Sequence, residues 1–296
     1  MDAVIVAAGR GTRMEGLTQD THKCLLPIDG RPIIEYSLDT LKAHGIRRIF
    51  MVTGHFDRQV RQALGEWIFK FVENPFYRTT NNMASLWFAR EQMQDDFLYL
   101  HSDLLYHPKI MTDFLNHPFT YATICMEEKS TFLGEEMKVG REDDHLILGK
   151  DLPDERCIGE FIGIAAFRKD GFASFAEVMT EILMSGDHNA YFAQAIATAS
   201  LTNSFEIASF TGMPWIEVDT ADVVGDEPVW LGDVVVGWVT SGGYSHYLGK
   251  SVALGYINAE SLVMKDGFAI EILGVKRPAR LHLEPLFDPQ GERMRS

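Results

Sequence analysis

The fold of this 296-residue chain is decided by the stretch Ala3-Val4-Ile5-Val6-Ala7-Ala8-Gly9-Arg10-Gly11-Thr12-Arg13-Met14. Its first half is a run of small and β-branched apolar residues, which predicts a buried strand. The strand ends in two glycines, where the backbone must turn sharply. Consecutive N–H groups in such a turn can point at an anion, and Arg13 and Lys23 add two cations. The stretch therefore predicts a phosphate-binding loop.

Two common nucleotide-binding loops are excluded by the spacing. Met14 stands where a Rossmann fingerprint needs its third glycine, and no Gly-Lys-Ser/Thr follows, as a Walker loop requires. A Gly-x-Gly turn alone is a weak signal. Its place at the first strand, with Arg13 and Lys23 behind it, favours a functional loop over an ordinary turn.

The charge of the chain narrows the range of partners. The formal net charge is −15, which disfavours nucleic acid and anionic membrane surfaces as partners because both need clustered Lys and Arg. Arg10, Arg13 and Lys23 nevertheless form a local positive spot near one loop. Such a spot allows an acidic enzyme to attract a nucleoside triphosphate.

The cysteines and the N-terminus predict a cytoplasmic protein. Cys24, Cys125 and Cys157 have no metal-type spacing and an odd count, so we interpret them as free thiols in a reducing compartment. The first strand follows Met1 and Asp2 directly, which leaves no room for a signal peptide. No apolar run approaches the roughly 18 residues of a spanning helix.

Strands and helices alternate in the first third of the chain. The pattern predicts a strand before Gly9, further strands at 46–53, 69–73 and 96–103, and helices at 32–44, 57–65 and 82–92. This rhythm indicates a parallel sheet with crossover helices. Ligands of such sheets bind at the carboxyl edge, so Gly9, Thr53 and Asp103 should face one crevice.

The pattern of strands and helices changes near residue 120 and again near residue 221. Between residues 120 and 220 it predicts short strands at 121–126, 138–140, 146–148, 161–167, 205–210 and 215–218, and helices at 170–183 and 191–199. From about residue 221 the chain reads as strands and turns with glycine punctuation. We therefore expect two domains, 1–220 and 221–296.

A family resemblance covers about residues 1–220. The glycine turn after an Ala-Ala pair, followed by Thr21-His22-Lys23-Cys24-Leu25-Leu26-Pro27, resembles the signature of the nucleotidyltransferases that make nucleoside-diphosphate sugars and alcohols. The Thr-His-Lys form and the later Asn81-Asn82-Met83-Ala84-Ser85-Leu86 resemble the phosphocholine cytidylyltransferase-like branch. The resemblance implies an α/β domain with a Rossmann-like, mostly parallel sheet.

The resemblance also implies a magnesium site. Its metal carboxylates would be Asp103 at a strand end and Asp219 with Glu217 in a late Glu-x-Asp, a ligand type that Mg²⁺ prefers. Arg13 would bind the phosphates that leave as pyrophosphate, and Lys23 would contact the α-phosphate. His22 and His101 lie beside these motifs, and we interpret both as hydrogen-bonded structural histidines.

For the nucleotide, the resemblance implies contacts from Ala8, Gly9 and Gly11 and from the loop at 81–85. Asn82 and Ser85 have the short polar side chains that can read a pyrimidine edge. Helix capping explains these residues equally well.

A choline group would need an aromatic cage. The candidates are Trp87, Tyr106, Tyr191 and Trp215. A smaller cationic amine would use carboxylates such as Glu160 or Asp187 instead.

The C-terminal part resembles a different family. Its runs at 237–246 and 249–256 and the Arg277-Pro278-Ala279-Arg280-Leu281 stretch resemble the C-terminal barrel of the aminomethyltransferases, in the form that ends sarcosine and dimethylglycine dehydrogenases. The folate-binding core and the flavin domain of those proteins are missing from the sequence. We expect this all-β segment to pack against the transferase domain or to mediate oligomerisation.

These features together predict a magnesium-dependent cytidylyltransferase that joins CTP to a small phosphorylated alcohol, with phosphocholine as the leading acceptor. Close alternatives are 2-aminoethylphosphonate, an inositol phosphate or a sugar 1-phosphate. An alternative of another class is a folate-linked one-carbon accessory protein, and a third is a transferase that the fusion has disabled.

Overall fold

The computed structural model describes residues 1–11, 14, 18–28, 30–132, 136–218, 227–245, 250–264, 266–272 and 274–283. The chain divides into two compact units, one that ends at residue 219 and one made mainly of the residues beyond it. The predicted domain boundary after residue 220 lies outside the described residues.

The first unit alternates strands and helices, as the sequence predicts. Up to residue 116 the chain forms β1 (Asp2–Ala7), β2 (Pro27–Ile28), β3 (Arg31–Pro32), α1 (Ile33–Ala43), β4 (Ile49–Thr53), α2 (Asp57–Leu64), β5 (Lys70–Glu73), α3 (Asn82–Ala89), β6 (Phe97–His101), β7 (Leu104–Tyr106) and α4 (Pro108–Asn116). Of these elements, β2 is grouped with the second unit. The rest of the first unit contains β8 (Ala122–Glu128), β9 (Lys138–Glu142), β10 (His145–Gly149), β11 (Cys157–Phe167), α5 (Lys169–Met184), α6 (Phe192–Ser200), β12 (Phe205–Phe210) and β13 (Trp215–Glu217).

Nine of these strands form one mixed sheet. The main order is β10-β9-β11-β6-β1-β4-β5, and β8 joins β11 to β12. β1 runs parallel to β4 and β6, and β5 runs parallel to β4. β11 is antiparallel to β6, β8 and β9. The predicted Rossmann-like, mostly parallel core with antiparallel additions is confirmed.

The sheet separates two hydrophobic layers because successive strand residues point to opposite faces. On the first face Val4, Val6 and Tyr99 pack with apolar residues of α3, α5 and α6. On the second face Ile5 and Leu100 pack with apolar residues of α1, α2 and α4. Every residue of β1 is buried, which explains why its sequence is an unbroken apolar run.

Helix α4, in the described part of the first unit, was not predicted by the sequence analysis. The signals were present, since Pro108 occupies the first turn and the His107 ring accepts a hydrogen bond from the Lys109 N–H. Thr53 differs from expectation as well. It is fully buried and its hydroxyl donates to the Asp57 carboxylate, so it does not face a crevice.

The C-terminal unit contains a five-stranded antiparallel sheet, as the predicted all-β segment requires. Its strands are β14 (Pro228–Leu231), β15 (Val234–Ser245), β16 (Lys250–Ile257), β17 (Phe268–Ile272) and β18 (Val275–Ala279), in the order β16-β15-β14-β17-β18. A small core holds the sheet together, and it consists of Val229, Val236, Val239, Phe268 and Ile272.

Among the described residues, no helix combines the length and the apolar character that are needed to span a membrane.

Phe167 is the centre of the aromatic packing on the first face. It is fully buried, and its ring lies 5.4 Å from that of Phe97 and 4.7 Å from that of Phe175, between centroids. We expect Phe167→Ala to lower the free energy of unfolding by about 3–5 kcal/mol because it leaves a cavity. Urea unfolding followed by circular dichroism measures this loss. Phe76→Ala, at a ring that is 60% exposed, is the control, and an equal loss in both variants would contradict the packing argument.

Candidate functional site

The glycine turn after β1 presents its backbone to open space. A Cβ atom built on Gly9 would meet no atom of the described residues within 4 Å. Gly11 has φ +61°, and a Cβ atom there would lie 3.3 Å from the Cβ of Lys23 and from Thr18 Cγ2. The Thr18 hydroxyl donates to the Gly11 carbonyl over 2.9 Å, and the Ala8 carbonyl accepts from the His55 N–H. The turn and the stem of Lys23 are therefore neighbours. Arg13 lies outside the described residues.

Lys23 is held by a short 3₁₀ turn over Lys23–Leu25. His22 caps this turn, since its ring Nδ1 accepts from the Cys24 N–H over 3.2 Å. The backbone N–H of His22 donates to Gln59 Oε1. His22 is 3% exposed, so the interpretation of this residue as a structural histidine agrees with its contacts. Cys24 is buried in the layer on the second face and anchors the turn.

The Lys23 ammonium forms an ion pair with Asp103. Nζ lies 2.6 Å from Asp103 Oδ2, and the side chains are 10% and 14% exposed. Burial alone would raise the pKa of Asp103, but the Lys23 ammonium and neighbouring groups outweigh it, so the pKa lies below the usual range. The second oxygen, Oδ1, is buried and has no hydrogen-bond partner among the described residues. Such an orphaned carboxylate oxygen is unfavourable unless a ligand contacts it.

Glu217 reaches the same place through the pairing of β13 with β7. Glu217 stands opposite Leu104 in that ladder, and the Val218 N–H donates to the Asp103 carbonyl over 2.9 Å. His101, the last residue of β6, contacts Glu217 Oε1 through Nδ1 over 2.9 Å. One ligand atom from each of His101, Asp103 and Glu217 lies within 4.8 Å of the others. We call these three residues the carboxylate cluster. Asp219 lies outside the described residues.

The carboxylate cluster fits a divalent cation. Two carboxylates converge at the carboxyl edge of the sheet, and no residue in the described part of the chain pairs with the buried Asp103 Oδ1. Oxygen donors of this kind suit Mg²⁺. A histidine nitrogen is a less usual donor for Mg²⁺, so the role of His101 has to be judged from its contacts with other residues.

Asn82 and Ser85 are both engaged with the protein. Asn82 Oδ1 accepts from the Phe192 N–H over 2.7 Å, and its Nδ2 lies 3.3 Å from His101 Nε2. The Ser85 hydroxyl accepts from Asn74 Nδ2 over 3.1 Å and is buried. Asn82 does cap a helix, as the alternative explanation requires. The helix that it caps is α6, whose first N–H donates to it, and not α3, to which Asn82 itself belongs. The nucleotide-reading role stays a prediction.

The four candidate aromatic residues do not form one cage. Trp87 packs on the first face and donates its indole N–H to Thr180 Oγ1 over 2.8 Å. Tyr106 and Trp215 stand opposite each other in the β7–β13 ladder and pack on the second face. The sheet lies between Trp87 and this pair. Tyr191 is 43% exposed and precedes α6. A role of any single ring in acceptor binding stays a prediction.

The carboxylates that were considered for a smaller amine have partners of their own. Glu160 Oε2 lies 2.6 Å from Lys129 Nζ, and burial raises the pKa of Glu160. Asp187 accepts from the Gln194 amide over 3.0 Å. Glu127, which stands opposite Glu160 in the β8–β11 ladder, accepts from the Trp215 indole.

The cysteines are free thiols, as predicted. Cys24 and Cys125 are buried and Cys157 is partly exposed. Burial raises the pKa of both Cys24 and Cys125, which makes them unreactive at neutral pH.

Two family models match the chain. Residues 3–137 match the MobA-like NTP transferase domain, and residues 215–288 match the glycine cleavage T-protein C-terminal barrel domain. The first covers the glycine turn, Lys23, His101 and Asp103. Each model thus covers less than half of the chain, and the two matched segments do not overlap.

Relatives among the curated proteins include several that are named cytidylyltransferases. The chain is 28% identical over 233 residues to CMP-5′-(3-aminopropyl)phosphonate synthase of Streptomyces rubellomurinus, across 73% of this chain and 36% of that protein. It is 28% identical over 141 residues to choline-phosphate cytidylyltransferase of Streptococcus pneumoniae, across 47% and 62%. It thus spans less than two thirds of the length of either relative.

Solved structures show the same fold. A structure of CTP:phosphocholine cytidylyltransferase from Streptococcus pneumoniae matches with a TM-score of 0.60 at 20% identity, covering 74% of this chain and 93% of that one. The inositol-1-phosphate CTP transferase from T. maritima matches with a TM-score of 0.63 at 18% identity, covering 74% and 89%. Both likenesses concern the fold.

The buried His22 makes stability depend on pH. Burial lowers the pKa of His22 to about 4, whereas an unfolded histidine titrates near ~6.5. Between these values the unfolded chain binds a proton that the folded one does not, so stability falls as the pH is lowered. We expect a loss of about 2 kcal/mol between about pH 6.5 and 5 from this residue.

His22→Asn tests this expectation because its amide oxygen can still cap the turn. Urea unfolding at both pH values should show a flatter pH dependence in His22→Asn than in the unsubstituted chain. The same substitution at the exposed His188 is the control. An unchanged pH dependence in His22→Asn would refute the assignment.

Proposed function

We propose that this protein transfers CMP from CTP to a small phosphorylated acceptor and releases pyrophosphate. The observation that carries the proposal is the meeting of the Lys23–Asp103 ion pair with Glu217 at the carboxyl edge of the sheet, beside the glycine turn. This is the edge where open α/β sheets bind their ligands. The cytidylyltransferase relatives support the choice of CTP.

Asp103 and Glu217 would hold Mg²⁺, and Asp219 is the predicted third ligand. The orphaned, buried Oδ1 of Asp103 supports this assignment. Bound Mg²⁺ would neutralise charge on the triphosphate as the α-phosphorus is attacked.

Lys23 would stabilise the charge that develops on the α-phosphate. An oxygen of the acceptor phosphate forms the new bond to the α-phosphorus, and the bond from that phosphorus to the β-bridging oxygen breaks. A phosphate monoester is already anionic near neutral pH, so the acceptor needs no general base. Catalysis then consists of positioning and charge stabilisation. The ion pair with Asp103 fixes the Lys23 ammonium in advance and supports this role.

The nucleotide would lie against the glycine turn. The backbone of Ala8, Gly9 and Gly11 supplies the phosphate and base contacts in this proposal, and Arg13 contacts the leaving phosphates. The open space above Gly9 supports it, because a bound group can approach the backbone there.

Phosphocholine is the leading acceptor, and 2-aminoethylphosphonate, an inositol phosphate or a sugar 1-phosphate are the alternatives. The choline-phosphate cytidylyltransferase of Streptococcus pneumoniae supports the first, and the aminopropylphosphonate synthase supports an aminoalkyl phosphonate. We also propose a cytoplasmic location, domains at 1–220 and 221–296, and a C-terminal barrel that joins copies of the chain.

The reaction and the acceptor are tested together. Pyrophosphate release is measured with Mg²⁺ and each of the four nucleoside triphosphates against phosphocholine, 2-aminoethylphosphonate, phosphoethanolamine, inositol phosphate and sugar 1-phosphates. We expect release with CTP and one amine-bearing acceptor. If folded protein releases no pyrophosphate with any member of the panel, the proposed reaction is refuted. A disabled transferase or an activity of the barrel would then be the better explanation.

Lys23 is tested by substitution. We expect Lys23→Ala to lower kcat by about 10²- to 10³-fold, because it removes a preorganised charge at the α-phosphate. The matched control is Lys109→Ala, which removes an exposed ammonium paired with Asp113 on α4. Steady-state kinetics on variants with unchanged circular dichroism give the comparison. Equal kcat values for the two variants would exclude a catalytic role for Lys23.

A further inference from the structure

The side-chain amide of Asn82 has an orientation that its neighbours dictate. The Phe192 N–H, one of the unpaired donors in the first turn of α6, lies 2.7 Å from one amide atom of Asn82. A backbone N–H can only donate, so that atom must be the oxygen. The amide nitrogen Nδ2 consequently faces His101 Nε2 over 3.3 Å.

This orientation decides which nitrogen of His101 carries the proton. The Asn82 NH₂ group can only donate, so His101 Nε2 must accept. The single ring proton is then on Nδ1, which lies 2.9 Å from Glu217 Oε1. The result is a directional chain of hydrogen bonds from the Phe192 N–H through Asn82 and His101 to Glu217. We call it the Asn82–His101 relay.

The ring of His101 has little freedom to leave this position. A Cβ atom on Gly163 would lie 2.6 Å from His101 Nδ1, so the ring fits only because this residue is glycine, with φ +80°. Tyr99 holds the ring from another side, edge to face, at 5.6 Å between centroids. Gly163 lies where the register of β11 shifts, within 161–165. A glycine inside a predicted strand is the sequence signal for such a close approach.

We propose that Asn82 and His101 are positioning residues that orient Glu217 for a divalent cation, an inference that rests on the proposed function. His101 Nδ1 engages Glu217 Oε1, and the carboxylate is thereby presented to the centre of the cluster through its remaining oxygen. His101 belongs to the cluster by distance, but both its ring nitrogens are used in the relay. It therefore supports the ligand rather than acting as one.

The relay competes with two simpler assignments. Asn82 could read the cytosine edge, in which case its loss would weaken nucleotide binding without metal. His101 could ligate the metal itself, in which case Asn82→Ala, which leaves the His101 ring and Glu217 in place, would keep its affinity for Mn²⁺. The observed contacts favour the relay because the Asn82 amide is already satisfied at both ends.

The first experiment measures the tautomer and needs no activity. Long-range ¹H–¹⁵N correlation spectra of the full-length, metal-free protein identify which ring nitrogen of His101 carries the proton, with His101→Asn used to assign the signal. We expect the Nδ1–H form. A proton on Nε2 would overturn the relay.

The second experiment measures metal binding directly. Binding of Mn²⁺, as a probe for Mg²⁺, is followed by electron paramagnetic resonance with a non-hydrolysable CTP analogue present. We expect His101→Leu and Asn82→Ala to bind Mn²⁺ about 10- to 100-fold more weakly. His101→Asn, which keeps an N–H toward Glu217, should recover most of the affinity. Gly163→Ala, which displaces the ring and leaves both partners in place, should resemble His101→Leu.

The controls distinguish a failure of the relay from a failure of the proposed function. Asn203→Ala removes an amide that contacts Ala199 and Thr202 at the end of α6, and it should bind Mn²⁺ as the unsubstituted chain does. Binding of the CTP analogue in chelator should be unchanged in Asn82→Ala, and a loss there would overturn the relay in favour of base reading. Unsubstituted protein that binds neither the analogue nor Mn²⁺ would refute the proposed function. Intact binding with no difference among the variants would refute the relay alone.

Discussion

The buried carboxylate of Asp103 is the constraint on which this site depends. A charge at 14% exposure is costly unless partners compensate it, and the Lys23 ammonium at 2.6 Å is the partner that the fold supplies. That requirement fixes the turn over Lys23–Leu25 against β6, and the stem of Lys23 then lies beside Gly11. The ion pair thus joins the glycine turn after β1 to the strand end where the carboxylates meet.

A second constraint comes from the antiparallel strand that returns to this edge. β13 pairs with β7, and the ladder brings Glu217 to His101 although the two residues are more than a hundred positions apart. The parallel strands supply Asp103 and the turn, whereas the antiparallel addition supplies Glu217. The site therefore needs both the mixed sheet and the separate two-stranded ladder of β13 and β7. The helix caps of α3 and α6 meet at its border through Asn82.

Much of the fold could be predicted because local patterns carry it. The apolar run of β1, the capped stripe of α1 and the strand that delivers Asp103 match their predicted places closely. The relative positions of the candidate aromatic residues could not be predicted from such local patterns. Trp87 and the Tyr106–Trp215 pair differ in the face of the sheet they occupy, which depends on strand register and on the packing of α3 rather than on residue type.

The sequence by itself determined the α/β class, the glycine turn and the lysine motif, because each is encoded within a few neighbouring residues. The carboxylates at 103 and 217 were singled out by the family resemblance. Only the tertiary structure decided that His101 contacts Glu217, that Asn82 caps α6 while it faces His101, and that Gly163 makes room for the imidazole. These contacts join residues from strands and helices far apart in the chain. Hydrogen-bond direction and close packing are properties of that assembled arrangement, and no local pattern contains them.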